Sequence, residues 1–206
     1  MKVQTTFAAY SAYWEKLATQ TAGGNAPDVI TMDTRYLSEY GSRHVLLDLN
    51  EGNGKQVSLT DISPELAKTG VLGDKRYAVP WAQNASSLVY DTKAYAGVDL
   101  AKPMTWEQFR AAAEKVSGAG QMRGVTDFGM LDSALEIWLR QHGKQFYTPD
   151  GHLGFTDTDL KAFWQLANAF RTSKAGTTAE VTASYNTAPE QSPLGKKLTA
   201  AEVEDL

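Results

Sequence analysis

The 206-residue sequence contains no cysteine, and this absence excludes several kinds of chemistry at once. Disulfide bonds, thiolate metal sites and cysteine nucleophiles are all ruled out. A chain without cysteine suits work outside the reducing cytosol without covalent cross-links. Long apolar runs are missing too, since the longest is Phe7–Tyr10. A helix that crosses a bilayer needs about 20 apolar residues, so none is predicted here.

The sequence also lacks an excess of basic residues. It carries 20 Lys+Arg against 24 Asp+Glu, for a formal net charge of -4, and has no run of Lys or Arg. Nucleic-acid binding therefore has no electrostatic basis. The 5 Trp, 9 Tyr and 7 Phe are too many for a disordered chain. The composition predicts one large globular domain or two small ones.

Groups that carry catalysis or bind cofactors are equally scarce. The three histidines, His44, His142 and His152, have no metal-ligand spacing and lie in no nucleophile-elbow context. A glycine cluster at residues 118–124 follows a helix pattern instead of a strand, so it is a poor dinucleotide loop. No Gly-Lys pair is followed by Ser or Thr, which excludes a Walker loop. We expect no enzyme activity, no catalytic residue, no metal and no cofactor.

Apolar residues at helical spacing alternate along the chain with short β-rich runs. Helices are predicted over the following segments: Tyr10–Thr21 with a stop at Gly23, residues 34–43, from Thr105 to Gly118 with a Thr105–Gln108 capping box, Leu131–Leu139, and a stretch that starts after Thr156. Strands are predicted at Lys2–Phe7, Asp28–Met32, Arg76–Trp81, Ser86–Tyr90 and Gly124–Met130. The alternation predicts an α/β fold with at least partly parallel sheets.

Polar and aromatic residues follow two of these predicted strands. Asp33 and Arg35 come after one strand, and Trp81 and Asn84 follow another. Ligands of α/β sheets bind outside the carboxyl ends of strands. A sugar needs hydrogen-bonding side chains for its hydroxyls and an aromatic ring for its C–H face, so Trp81 is a candidate stacking plate and Asp33, Arg35 and Asn84 are candidate hydroxyl partners. Composition alone favours the simpler alternative, in which Trp81 is a core aromatic and Asn84 a turn residue.

Four segments, in the same order, resemble family 1 extracellular solute-binding proteins, the sugar receptors of ABC importers that include the maltose-binding protein. They are Ala22–Val29 (AGGNAPDV), Tyr77–Pro80 with Leu88–Asp91 (YAVP and LVYD), Pro103–Phe109 (PMTWEQF), and Phe155–Asp157 with Phe163–Trp164. The resemblance runs from about residue 3 to residue 200.

This resemblance implies a type II periplasmic-binding-protein-like α/β fold, with two lobes joined by a hinge and a sugar held between them. Residues 1–81 would form the first lobe, and residues 82–206 the crossover and the second lobe. Carried over by position, the ligand contacts would come from Met32, Asp33 and Arg35 in the first lobe. The crossover would supply Asn84, where the maltose receptor has a carboxylate, and the turn at 131–133 would supply Asp132.

The resemblance also implies a fragment truncated at both ends. Family members have a signal, a first strand and a first helix before the segment that corresponds to Met1, and they continue past Leu206. Met1–Thr6 lacks the apolar region of a signal peptide, so the chain is either cytosolic or separated from its export signal. Without the missing strands, we expect residues 1–206 to be less stable than a full-length relative. We also expect them to bind sugar weakly or not at all.

The sequence therefore predicts the substrate-binding component of an ABC sugar importer. Its partners would be a mono- or oligosaccharide and a membrane permease, it would be a monomer, and it would not bind nucleic acid. The full-length parent would be periplasmic or lipid-anchored at the cell surface. Two alternatives stay open: a small α/β carbohydrate-active enzyme, and a receptor of the same fold for a non-sugar solute.

Overall fold

The computed structural model describes residues 2–51, 57–148, 152–184 and 189–205. The chain divides into two compact units, unit 1 (Met1–Gln83) and unit 2 (Asn84–Leu206). None of the helices in these described ranges is both long enough and apolar enough to cross a membrane.

The described residues of unit 1 form three α-helices and a small hairpin. Its elements are α1 (Tyr10–Ala22), α2 (Thr34–Ser42), α3 (Pro64–Lys68), β1 (Val71–Leu72) and β2 (Lys75–Arg76). β1 and β2 pair antiparallel, and Gly73 takes a positive φ of 65° in the turn between them. The large buried apolar side chains of this unit are Leu17, Leu37 and Tyr40.

The described residues of unit 2 form four α-helices, a short 3-10 helix and a pair of strands. Its elements are β3 (Ser86–Tyr90), α4 (Trp106–Ala119), α5 (Asp132–Gln141), α6 (Asp157–Thr172), α7 (Ala179–Ala183), a short 3-10 helix (Pro189–Gln191) and β4 (Ala201–Asp205). β3 and β4 pair antiparallel, with Ser86 opposite Asp205 and Tyr90 opposite Ala201.

The main hydrophobic core of the described chain lies in unit 2, among α4, α5 and α6. The ring of Phe128 is its centre, at 5.1 Å from the Phe170 ring and 6.1 Å from the Phe163 ring. Both α6 rings are fully buried. Aromatic side chains of this size dominate the energetics of a core, so unit 2 holds most of the apolar burial.

The predicted helices are confirmed, because the signals that predicted them act locally. The Thr105 hydroxyl accepts from the Gln108 N–H, and the Gln108 side chain accepts from the Thr105 N–H, which completes the predicted capping box of α4. Thr156 caps α6 in the same way. α1 ends at Ala22, before Gly23, as predicted.

Most predicted strands are wrong. Residues 2–9 and residues 28–32 form no strand, and Val29 is 89% exposed instead of buried. Gly124–Met130 forms only an isolated bridge at Val125, and Arg76–Trp81 keeps a strand only at Arg76. A strand exists only where a neighbour supplies a run of hydrogen bonds. Within the described residues, Arg76 and Val125 each pair at a single position of their predicted strands, and residues 2–9 and 28–32 pair with no strand.

The predicted parallel sheet is not observed within the described residues. Both sheets in the described residues are antiparallel pairs of two strands. Parallel pairing is limited to single bridges, Arg123 with Thr199 and Val125 with Gly176. By contrast, Ser86–Tyr90 is the one predicted strand with the same bounds in the structure, because β4 returns to pair with it.

The hydrogen bonds of Asp159 at the N-terminus of α6 should weaken in acid and lower the stability of the protein. The Lys144 ammonium donates to Asp159, as do the hydroxyl and the N–H of Thr156, and these bonds lower the pKa of Asp159 to about 2. A carboxylate whose pKa is lowered on folding stabilises the protein at pH values above its ordinary pKa of 3.8. This stabilisation is lost as the pH falls to about 2. We expect the urea midpoint of Asp159→Asn to fall less across this range than that of the wild type.

The matched control is Asp157→Asn, which removes the same charge from the same first turn of α6. This variant should keep the acid-dependent fall of the wild type. Parallel curves for the wild type and Asp159→Asn between these pH values would contradict the prediction.

Candidate functional site

Asp33 and Arg35, two of the predicted ligand contacts, lie together at the start of α2. Asp33 is the N-cap of the helix, and its Oδ1 accepts from the Arg35 N–H at 2.9 Å. Its Oδ2 lies 3.6 Å from Arg35 Nε. The same Oδ2 accepts a hydrogen bond of 2.9 Å from the Tyr10 hydroxyl of α1. Burial and this hydrogen bond raise the pKa of Tyr10 to about 12. The cluster offers a carboxylate, a guanidinium and a phenol at one helix terminus.

Sequence reasoning missed the aromatic rings beside this cluster. Trp14 of α1 stacks on Tyr36 of α2, with ring centroids 3.8 Å apart. The rings of Tyr10 and Tyr13 meet Trp14 edge-on at 5.8 and 5.0 Å. The helical spacing of the apolar residues in α1 predicts that its aromatic side chains are packed against the rest of the chain. It does not show that their partner is α2. These stacked rings hold α1 against the helix that Asp33 caps.

Trp81 lies near the end of unit 1 and is 79% exposed. The core placement that composition alone favoured is therefore wrong for the described chain. An exposed indole is an available flat apolar surface. Its predicted role as a stacking plate stays a prediction.

Asn84 and Asp132 lie in unit 2, on different elements. Asn84 precedes β3 and is exposed. Asp132 is the first residue of α5, also exposed, and its Oδ1 accepts from the Ser133 N–H at 3.0 Å. The structure thus brings Asp33 and Arg35 together and places the other three candidates on separate segments. The ligand roles of all five residues stay predictions.

The segment that leads to Asp132 is held rigidly against α6 by a buried carboxylate that sequence reasoning missed. Asp127 is 3% exposed, and its Oδ2 lies 2.6 Å from Arg171 Nη2. The same oxygen accepts from the Thr182 hydroxyl at 2.7 Å, and Oδ1 accepts from the Gly129 N–H at 3.1 Å. These bonds fix the backbone just before α5. The exposed Asp132 carboxylate therefore follows a segment that Asp127 ties to Arg171 of α6.

No group of three or more His, Asp or Glu side chains in the described residues is arranged to hold a metal ion. His142, at the C-terminus of α5, stacks on Trp138 at 3.9 Å, and its Nδ1 lies 2.7 Å from the Trp138 carbonyl oxygen. The His142 ring therefore packs against the last turn of α5. The polar and aromatic groups described above can form hydrogen bonds and stacking contacts, which is the chemistry of binding.

Comparison with known proteins decides the family. The model of bacterial extracellular solute-binding proteins matches residues 2–192. The chain belongs to this family. The resemblance read from the four sequence segments is thereby confirmed.

Two solved solute-binding proteins show the fold. The GacH receptor of Streptomyces glaucescens, solved unliganded and with acarbose, matches 96% of this chain and 50% of its own at 20% identity, with a TM-score of 0.78. UgpB from Mycobacterium tuberculosis, in complex with glycerophosphocholine, matches 96% and 50% at 17% identity, with a TM-score of 0.74. The predicted type II periplasmic-binding-protein-like fold class is confirmed.

A curated relative matches part of the sequence. The diacetylchitobiose binding protein DasA of Streptomyces coelicolor is 29% identical over 109 residues, which is 52% of this chain and 25% of DasA. This chain spans about half the length of the solved relatives. Family members are binding proteins, which indirectly supports a non-enzymatic role.

Proposed function

We propose that this solute-binding protein serves as the substrate-binding component of an ABC sugar importer and binds a carbohydrate. The observation that carries the proposal is the exposed Trp81, in a member of a solute-binding family. A solvated indole adds little to stability, but it offers a flat apolar face to the C–H face of a sugar ring. Sugar-binding relatives support the ligand class, since DasA is named for diacetylchitobiose and GacH was solved with acarbose.

The proposed binding residues divide by chemistry. Trp81 stacks on a ring of the sugar, while the Asp33 and Asp132 carboxylates, the Arg35 guanidinium and the Asn84 amide bond its hydroxyls. Carboxylates and amides suit hydroxyls because they accept or donate in several directions. Both units contribute residues, so we propose that residues 1–81 and 82–206 act as parts of two lobes that close on the ligand about a hinge.

The importer context supplies the partners and the location. We propose that the ligand-bound receptor delivers its sugar to a membrane permease and works as a monomer at the cell surface or in the periplasm. The family description as extracellular supports this location. The proposal involves neither nucleic acid nor a cofactor.

The test is a titration followed by heteronuclear N–H NMR, which detects weak binding. We expect diacetylchitobiose or a malto-oligosaccharide to shift resonances saturably with a millimolar Kd, about -4 kcal/mol of binding free energy. Absence of shifts with every sugar would overturn the proposal that residues 1–206 bind a carbohydrate. Saturation by glycerophosphocholine alone would favour a non-sugar receptor, the alternative that the UgpB complex supports. Cleavage of an added glycoside would favour the enzyme.

Trp81→Ala should weaken sugar binding about tenfold, because the indole face contributes about 1.4 kcal/mol of stacking. Trp81→Phe, which keeps an aromatic ring, should retain most of the affinity. The matched control is Leu47→Ala, another exposed apolar residue of unit 1, which should bind like the wild type. Equal affinities for Trp81→Ala and the wild type would exclude the stacking role, without excluding sugar binding elsewhere.

A further inference from the structure

Trp164 is the second tryptophan that the structure leaves exposed. It lies on α6 and is 49% exposed, whereas Trp14, Trp106 and Trp138 are partly or fully buried. Its indole N–H donates to the Gly129 carbonyl oxygen at 3.0 Å, so its polar atom is satisfied and the hydrogen bond restrains the ring. A half-exposed ring anchored in this way leaves part of its apolar surface in solvent.

The packing of the preceding loop on α6 fixes where this ring lies. Trp164, Ala167 and Arg171 follow one another at helical spacing on one face of α6. A Cβ built on Gly129 would come within 3.0 Å of Ala167 Cβ and 2.8 Å of Arg171 Nη2, so the loop lies directly on that face. Asp127 binds the same loop to Arg171. The indole is therefore held beside the loop that carries Gly129.

That loop runs directly into the predicted ligand contact at Asp132. Met130, the residue after Gly129, is 76% exposed, and Asp132 follows two residues later with an exposed carboxylate. The Met130 thioether lies on this loop, the Trp164 indole of α6 is bonded to it, and the Asp132 carboxylate of α5 follows it directly. Apolar surface next to a hydroxyl acceptor matches the two faces of a sugar ring. Because its hydrogen bond already restrains Trp164, contact with a ligand would cost this side chain less conformational entropy.

We propose that Trp164 is a stacking plate for a sugar ring whose hydroxyl is bound by Asp132. This inference rests on the proposed carbohydrate function and adds a second aromatic surface, in unit 2, to Trp81 of unit 1. The ligand class is a sugar whose ring offers an apolar C–H face beside a hydroxyl.

The experiment follows the five indole N–H resonances of the full chain in the NMR titration, assigned with Trp→Phe variants. Diacetylchitobiose or a malto-oligosaccharide should shift the Trp164 resonance saturably. The Trp106 indole, which donates to Gln141 Oε1 at 2.7 Å, should stay in place. Trp164→Ala should weaken binding of the same sugar about tenfold.

Control variants distinguish failure of the Trp164 proposal from failure of the proposed carbohydrate function. Trp164→Phe loses the bond to Gly129 but keeps a ring, so it should retain most of the affinity if stacking matters. Leu153→Ala, at another exposed apolar residue of unit 2, should bind like the wild type. A sugar that shifts other resonances but leaves Trp164 in place, with unchanged affinity for Trp164→Ala, overturns this inference alone. A chain that no sugar perturbs overturns the proposed function and this inference together.

Discussion

Replacing Gly124 with alanine is expected to destabilise unit 2 by about 3 kcal/mol or more, since overpacking that forces backbone shifts has costs of this order. The new Cβ would lie 2.3 Å from the Ala113 carbonyl oxygen and 2.4 Å from Ala113 Cα of α4. These are backbone atoms of a buried helix. Gly124 is also tethered there, because its N–H donates to Ser117 Oγ and its carbonyl oxygen accepts from the Tyr95 hydroxyl, both at 2.8 Å.

A matched substitution in the same region has the opposite expected sign. Gly118 lies in the last turn of α4, and a Cβ built there meets nothing within 4 Å. Gly118→Ala should therefore stabilise the protein by up to about 1 kcal/mol, because alanine loses less backbone entropy in a helix. Urea unfolding followed by circular dichroism measures both variants. A Gly124→Ala midpoint at or above the wild-type value would contradict the close packing of residues 123–125 on α4.

Removing the Asp127 carboxylate is the second change with a large expected effect. Its side chain is 1% exposed, whereas that of Arg171 is 29% exposed. Asp127→Ala leaves the Arg171 cation, the Thr182 hydroxyl and the Gly129 N–H without this acceptor. Breaking a buried ion pair by deleting one partner costs about 3–5 kcal/mol, and we expect about 3 here because Arg171 is partly exposed.

The double variant Asp127→Ala/Arg171→Met separates the two contributions. It removes the unpaired cation, so it should recover part of the stability that Asp127→Ala loses. The control is Glu114→Ala, which breaks the half-exposed Arg110–Glu114 pair and should change stability by at most about 0.5 kcal/mol. Urea midpoints for Asp127→Ala and Glu114→Ala that differ by less than this amount would show that the Asp127 pair does not stabilise the loop.

The helices were predictable from sequence because their determinants lie within a few residues of one another. The Thr105–Gln108 capping box and the Thr156 cap satisfy orphan N–H groups locally, whatever the rest of the chain does. Strands depend on distant partners, and this explains their failure as predictions. Asp28–Met32 has the composition of a buried strand but no strand partner in the described residues, whereas Ser86–Tyr90 pairs with a segment more than a hundred residues away.

The residues of the candidate site could be predicted from the sequence, but the contacts between them could not. Motif order alone identified the family and pointed to Asp33, Arg35, Asn84 and Asp132, whose segments the family match covers. Nothing in the sequence pairs Tyr10 with Asp33 or Asp127 with Arg171, since these contacts join residues 23 and 44 positions apart. Such contacts depend on how helices pack, and helix packing is a tertiary property.

By itself, the sequence determined the family, the fold class, the positions of five helices and the absence of thiol chemistry, because each of these follows from local pattern or composition. Only the tertiary structure decided which aromatic side chains stay in solvent. Trp138 and Trp164 both lie on helices, α5 and α6, yet Trp138 is 7% exposed and Trp164 is 49% exposed. Whether an indole is covered depends on what the rest of the chain places over it, and that is set by packing between segments distant in sequence.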